Sequence, residues 1–279
     1  MASGKSWLKG CGIGCGLMVI LAIVGTIGGG VALFKPFKDA IRSREVLEET
    51  YGSQEDYRPP VDGVVPADRL ETFIAVRTDL MEHCEGFEET FDQFRRMERL
   101  EDEGASGGEK FREILKTVGK AFGIAGKLGR LAVARNEVLS ERGMGLGEYT
   151  YIYALAYFAW LGVDSEFEDF EDADVDVDME DASPRVRRAL RGMLRHQLED
   201  VEASFHPDRD ALAAELADEL ERLDDDRDRY PWQGAVPARL ADALAPYRGR
   251  LEAAFCPETA QFELAVHREG EGGLSIHSD

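Results

Sequence analysis

The sequence predicts an all-α protein: an N-terminal transmembrane helix followed by a soluble multi-helix bundle with one long helical hairpin. Three observations predict it. From Gly10 to Phe34 the chain has no ionisable side chain except Cys11 and Cys15, and Lys9 and Lys35 bracket the run. Downstream, apolar residues recur at three- and four-residue steps over long stretches, which is the period of an amphipathic helix. Tyr149 to Leu161 then holds six aromatics without a charge, too short to cross a bilayer but suited to a helix wrapped by others.

At about 1.5 Å per residue the uncharged run crosses a hydrocarbon core of roughly 30 Å, so residues 1–36 read as a membrane anchor, with residues 10–34 inside the membrane. Leu17 to Val24 is its most apolar part, and Trp7 and Phe34 or Phe37 lie where interfacial aromatics sit. A cleaved signal peptide is the competing reading, because Lys5 and Lys9 form a positive n-region and Gly28, Gly30 and Ala32 are small. Against it, the run exceeds a usual h-region and ends without an A-x-A. Gly10, Gly14, Gly25 and Gly29 fall on one helical face as two G-x-x-x-G pairs. Such a face lets two membrane helices approach, so a homodimer is one expectation; the other is that glycine is simply common in membrane helices.

Charge around the anchor gives a divided answer on orientation. Lys35, Lys38, Arg42 and Arg44 outnumber Lys5 and Lys9, which leans towards a cytoplasmic bundle. A short basic tail on a signal anchor leans the other way, and the extracytoplasmic placement is preferred. Cysteine usage does not decide it, since Cys84 and Cys256 allow one disulfide or two buried thiols. The formal net charge of −22 argues against nucleic acid as a partner. No lysine follows Lys127 and Asn136 is the only asparagine, a bias that fits a prokaryote with a GC-rich genome.

Residues 37–65 read as a juxtamembrane helix and linker: an amphipathic stretch from Phe37 to Tyr51, stopped by Gly52, then Ser53 to Val65 with Pro59 and Pro60. Residues 66–163 read as the bundle core. Pro66 opens a helix to about Arg99, striped by Leu70, Phe73, Leu80, Cys84, Phe87, Phe91, Phe94 and Met97, and Cys84 is expected there as a packing residue first. The turn from Glu101 to Gly108 contains a formal G-x-S-x-G around Ser106, but a nucleophile elbow needs a strand before the serine and here a helix precedes it. The second limb of the hairpin runs from about Lys110 to Leu139, with Phe111, Leu115, Val118 and Phe122 on one face. Arg112, Lys116, Lys120, Lys127 and Arg130 lie on another. That face suits an anionic membrane surface, although a solvated face is the preferred reading. After Gly143 to Gly147, the aromatic helix is expected at the centre of the bundle, with its tyrosine hydroxyls needing buried partners.

Residues 164–183 form an acidic loop with eleven carboxylates from Asp164 to Asp181. Its spacing fails the EF-hand pattern, and it is expected to rest on Arg185, Arg187, Arg188, Arg191 and Arg195. Residues 184–266 are the C-terminal helices: one from Ser183 and Pro184, buried by Val186, Leu190, Leu194, Leu198 and Val201, then Asp208 to Leu223 and Pro237 to Phe255. Phe262 to Val266 reads as a short strand or clasp, and residues 267–279 as a disordered tail. Two helix starts echo one another, from Gly63 to Leu70 and from Gly234 to Leu240, and each is followed by a cysteine.

The search for chemistry returns no site. His83, His196, His206, His267 and His277 show no metal-ligand spacing, Cys11 and Cys15 alone are an incomplete metal site, and no phosphate-cradling loop or dinucleotide fingerprint occurs. No catalytic, cofactor-binding or metal-ligating residue is assigned. The function expected is that of a single-pass, membrane-anchored, non-enzymatic interaction or scaffold module of a prokaryotic cell envelope, acting on a protein partner the sequence does not identify. The alternative is a ligand-binding or enzymatic domain whose polar site is assembled from scattered residues. A deep pocket bordered by Tyr149, Tyr153 and Trp160 with converging carboxylates would favour the alternative; a filled core there would favour the module.

Overall fold

A computed structural model describes residues 29–101, 126–163, 182–260 and 264. Among these residues every regular element is helical, so the all-α expectation and the helical bundle hold. The helices are α1 (Gly29–Tyr51), α2 (Ala67–Glu101), α3 (126–141), α4 (Leu146–Tyr153), α5 (Ala182–Ala203), α6 (Arg209–Asp225), α7 (Ala238–Leu244) and α8 (Arg248–Ala253). Among the described residues no helix is long and apolar enough to cross a membrane. The uncharged run up to residue 28, the hairpin turn with Ser106, the acidic stretch 164–181 and most of the expected clasp at 262–266 lie outside the described residues.

α1 runs through the boundary expected at residues 36 and 37 as one helix and buries Ala40 and Leu47. Gly52 ends it, at a φ of +82° that a side chain with a Cβ seldom adopts, with its N–H on the Glu48 carbonyl. Residues 53–65 differ from a free linker. They form a strap across the bundle, in which Gln54 is buried and donates to Thr150 Oγ1 at 2.8 Å. Gln197 donates to the Pro60 carbonyl at 3.0 Å, Tyr151 Oη to the Gly63 carbonyl at 3.2 Å, and Arg239 Nε to the Asp62 carbonyl at 2.7 Å. Each bond satisfies a strap carbonyl or a core side chain that would otherwise be dry and unpaired.

α4 and its continuation form the centre of the bundle, as the charge-free run from Tyr149 to Leu161 predicts. Leu146 to Ala159 are buried apart from the half-buried Glu148. Past Tyr153 the helix widens into a seven-residue π segment, Ala154–Trp160. The strap passes close over its first turn: a Cβ on Gly147 would lie 2.5 Å from Tyr57 Cβ and 2.7 Å from the Gln54 carbonyl oxygen. Only glycine leaves room for that approach.

α5 and α6 pack antiparallel. The arginines expected to hold the acidic loop are engaged elsewhere in three of five cases: Arg187 pairs with Asp228 at 3.1 Å, Arg191 with Asp224 and the Leu223 carbonyl, and Arg195 with Asp224 at 3.5 Å. The helix expected over Pro237 to Phe255 is broken. Pro246 has no N–H to continue the α pattern, so the chain takes a 3-10 turn at Ala245–Tyr247 between α7 and α8.

Candidate functional site

α2 places an arginine where its apolar stripe requires a core residue. Leu70, Phe73, Arg77, Leu80 and Cys84 follow one another at three- and four-residue steps, and Arg77 is 1% exposed. Its Nε and Nη2 donate to the Ala254 carbonyl at 3.0 and 2.8 Å, and its Nη1 donates to Tyr149 Oη at 3.1 Å. The guanidinium carbon sits 5.3 Å from the Tyr153 ring centre and 5.6 Å from that of Tyr157. Aromatic faces attract a cation electrostatically, and a guanidinium keeps its charge where an ammonium would lose it. Ring faces, the Tyr149 phenol and the Ala254 carbonyl are thus among the groups that surround this cation.

Tyr149 and Tyr153 reach it from α4, and Tyr157 from the π segment that follows. Leu161 N–H bonds to the Ala156 carbonyl, five residues back, which is the wider turn of a π-helix. Tyr149, Tyr153 and Tyr157 line up in file, with ring centres 5.9 and 4.7 Å apart, and Phe73 and Phe255 close the ends at 5.3 Å from Tyr149 and 4.9 Å from Tyr157. Tyr157 Oη donates to the Leu251 carbonyl at 3.2 Å. Tyr149 and Tyr153 are both fully buried, and Trp160, half-buried, stacks under Arg248 at 4.5 Å. Of the three residues that would border a ligand pocket, Tyr149 and Tyr153 instead fill the core and Trp160 packs against its edge.

Cys84 and Cys256 form a disulfide between positions 172 apart in sequence, with Cα atoms 6.0 Å apart. Cys84, expected first as a packing thiol, is thus a covalent fastening. Together with the Arg250–Glu71 ion pair at 2.7 Å and the Arg77–Ala254 bonds, it clamps residues 250–256 along α2 at three successive levels. Beside the clamp, Ile74, Thr78 and Met81 of α2 floor a shallow, open groove of about 450 Å³. Its charged rim is neutralised pairwise, Asp79 by Arg142 at 2.6 Å and Arg250 by Glu71. A ligand site encloses most of its ligand, and this groove does not.

A second buried polar residue, Glu219, holds the turn after α6. Its Oε1 accepts from the Trp232 N–H at 2.7 Å, and Arg229 and Arg222 approach at 3.3 and 3.6 Å. Burial raises its carboxyl above the ordinary range, against the Trp232 N–H and the arginines, which lower it. Trp232 takes the left-handed φ of 63° to meet it. Among the described residues the histidines stay apart: His83 faces Glu82 at 3.6 Å, and His196 and His206 belong to different segments. Among the described residues no group of three or more His, Cys, Asp or Glu side chains is placed to hold a metal ion.

Arg77, Gln197 and Glu219 are the functional-looking residues that the stripe pattern left out. The signal that finds them is a polar residue standing in a core register of its own helix. Comparison with protein-family models, with curated proteins and with solved structures finds no match.

Proposed function

We propose that the chain is a single-pass, membrane-anchored helical module of a prokaryotic cell envelope, with its bundle outside the cytoplasm, that binds another envelope protein or organises an assembly and is not an enzyme. The Cys84–Cys256 disulfide carries the reading. Such bonds form and persist in oxidising compartments and are rare where cytosolic thiols are kept reduced. It outweighs the basic residues from Lys35 to Arg44, which by the positive-inside tendency would favour the opposite side.

Two further observations support it. The last residues of the uncharged run, from Gly29 to Phe34, belong to α1, which continues into the bundle to Tyr51 without a break. The aromatic core is packed solid around Arg77, which leaves the outer surface for recognition. A homodimer through Gly10, Gly14, Gly25 and Gly29 would double that surface.

The test is topology in cells. The full chain should remain with membranes after carbonate washing, keep residues 1–9 by mass spectrometry, and be digested by protease added to intact spheroplasts. Cys84 and Cys256 should escape alkylation until a reductant is added. A mature start near Val31 or Leu33 would turn the anchor into a signal peptide. A bundle protected from external protease, with both thiols alkylated in intact cells, would overturn the extracytoplasmic placement.

A further inference from the structure

We infer that the outer face of α1 is a self-recognition surface, through which two copies of the chain pair with their α1 helices antiparallel. The inference does not rest on the anchor reading, because every residue it uses lies on α1 between Lys38 and Tyr51.

One side of α1 is spent on the bundle. Ala40 and Leu47 are buried, and Ser43 Oγ between them accepts from Asn136 Nδ2 at 3.1 Å. The other side carries Lys38, Arg42, Glu45 and Glu49, all exposed, at steps of four, three and four residues. At about 100° per residue these four fall within an arc of about 60°, opposite Ala40 and Leu47. Their spacing is that of the seam between two coiled helices, with charges in place of apolar residues. Val46, 54% exposed, borders the stripe.

The order of these charges is unfavourable in a single copy. Lys38 with Arg42, and Glu45 with Glu49, are like charges four residues apart, which weakens a helix on its own. Glu48 and Glu49 stand in the last turn of α1, where the helix dipole favours a base and none is present. Arg44 pairs with Glu48 at 2.6 Å, beside the stripe and not in it. Among the described residues Lys38, Arg42, Glu45 and Glu49 have no ion-pair partner.

A second copy turned end for end supplies what is missing. The midpoint of Lys38 and Glu49 is also the midpoint of Arg42 and Glu45, between Ser43 and Arg44. A two-fold axis at that height sets Lys38 level with Glu49 of the second copy and Arg42 level with its Glu45, and the symmetry repeats both pairings. Every charge of the stripe is then matched. Parallel helices in register would instead set each of the four against its own like. Two copies side by side in one membrane would have parallel α1 helices, so this contact is distinct from pairing through the glycine face. Where the anchor holds, the two anchors leave the pair in opposite directions, and the contact joins copies in facing membranes. Exposed ion pairs are individually weak and screened by salt, so the association is weak and reversible.

The experiment uses the full chain in mild detergent at low salt, with isotope-labelled and unlabelled copies mixed equally and a carbodiimide that joins amine to carboxylate without a spacer. Lys38 and Glu49 of one chain stand about 16 Å apart along α1, beyond the reach of that bond, so a link between them reports two copies. Mass spectrometry should find it, with about half of the links joining labelled to unlabelled peptide, and high salt should lower its yield at least about fivefold. Two variants test the charge order, Lys38→Glu with Arg42→Glu, and Glu45→Lys with Glu49→Lys. By sedimentation neither should pair with itself, and their equal mixture should pair as the parent does. Should either variant misfold by circular dichroism, the isotope and salt comparison on the parent still decides. Absence of the Lys38–Glu49 link up to near-millimolar protein overturns the inference, as does a link confined to peptides of one label. Lys38 joined to residues 164–181 of its own chain in place of Glu49 makes that acidic segment the occupant, and also overturns it. A dimer that both variants form as readily as the parent overturns it too and belongs to another surface.

Discussion

Replacing both Cys84 and Cys256 by alanine tests the feature on which the placement of the bundle depends. The bond closes a loop of 172 positions. With the chain-entropy relation for a loop of that length, closure removes about 5 kcal/mol of unfolded-state freedom at 25 °C. The sulfurs are buried, Cys84 9% and Cys256 2% exposed, so alanine adds only a small cavity cost on top. Against a domain stability of about 5–15 kcal/mol and a urea dependence of about 2–3 kcal/mol per molar, the variant should unfold near 2 M lower in urea. The assay is equilibrium unfolding of the full chain in mild detergent, followed by helical circular dichroism. The starting signal should be unchanged, because α2 remains fastened by Arg77 and Glu71. A midpoint difference below about 0.4 M, which is about 1 kcal/mol, would refute the reasoning, as would a parent chain in which Cys84 and Cys256 themselves are alkylated without reductant.

Three more outcomes are expected. Arg77→Ala leaves the Ala254 carbonyl and Tyr149 hydroxyl without their donor and opens a cavity among rings, so urea titration should show a loss of about 3–5 kcal/mol, with Arg77→Lys falling between the two because it cannot donate to both groups as a fork. Gly147→Ala drives a methyl into Tyr57 and the Gln54 carbonyl; it should cost about 1–3 kcal/mol and speed chymotryptic cleavage after Tyr57 as the strap lifts. Glu219 has a raised folded-state carboxyl, so its contribution is fully present below the ordinary glutamate range near 4.3 and is lost as pH rises through the raised value. The stability of the parent minus that of Glu219→Gln should therefore fall as pH rises from about 4 through the raised value, and a difference that grew with pH would reverse the sign of the argument.

Periodicity made most of the helices legible, because an amphipathic stripe is a local property of sequence. α2 was bounded to within two residues by Pro66 and the expected end near Arg99, and the charge-free Tyr149 to Leu161 marked the centre. The π segment had no comparable signal. A helix apolar on every side loses the periodic contrast from which pitch is read. Residues 53–65 looked like a linker because Pro59 and Pro60 exclude regular structure, yet the bonds that dock them come from Thr150, Tyr151, Gln197 and Arg239, far away in sequence. Arg77, Gln197 and Glu219 were visible as residues and overlooked as core positions, since a stripe is read from its apolar members. The disulfide stayed open because two cysteines fix a count and not a distance, although the matching helix starts at Ala67 and Ala238 stand ahead of the two that pair.

The disulfide also sets the path of tension through the molecule. A pull between α1 and residues beyond Cys256 travels along α1, the strap and the first half of α2 to Cys84, then crosses the sulfurs directly. Everything between the two cysteines, including the tyrosine file, α5 and α6, hangs on a slack side branch. That branch bears no load while the bond lasts, so a module tethered at one end and pulled at the other would carry the force on α1, the strap and the first half of α2 and spare the segment between the two cysteines. Reduction would reroute the same force through the tyrosine core.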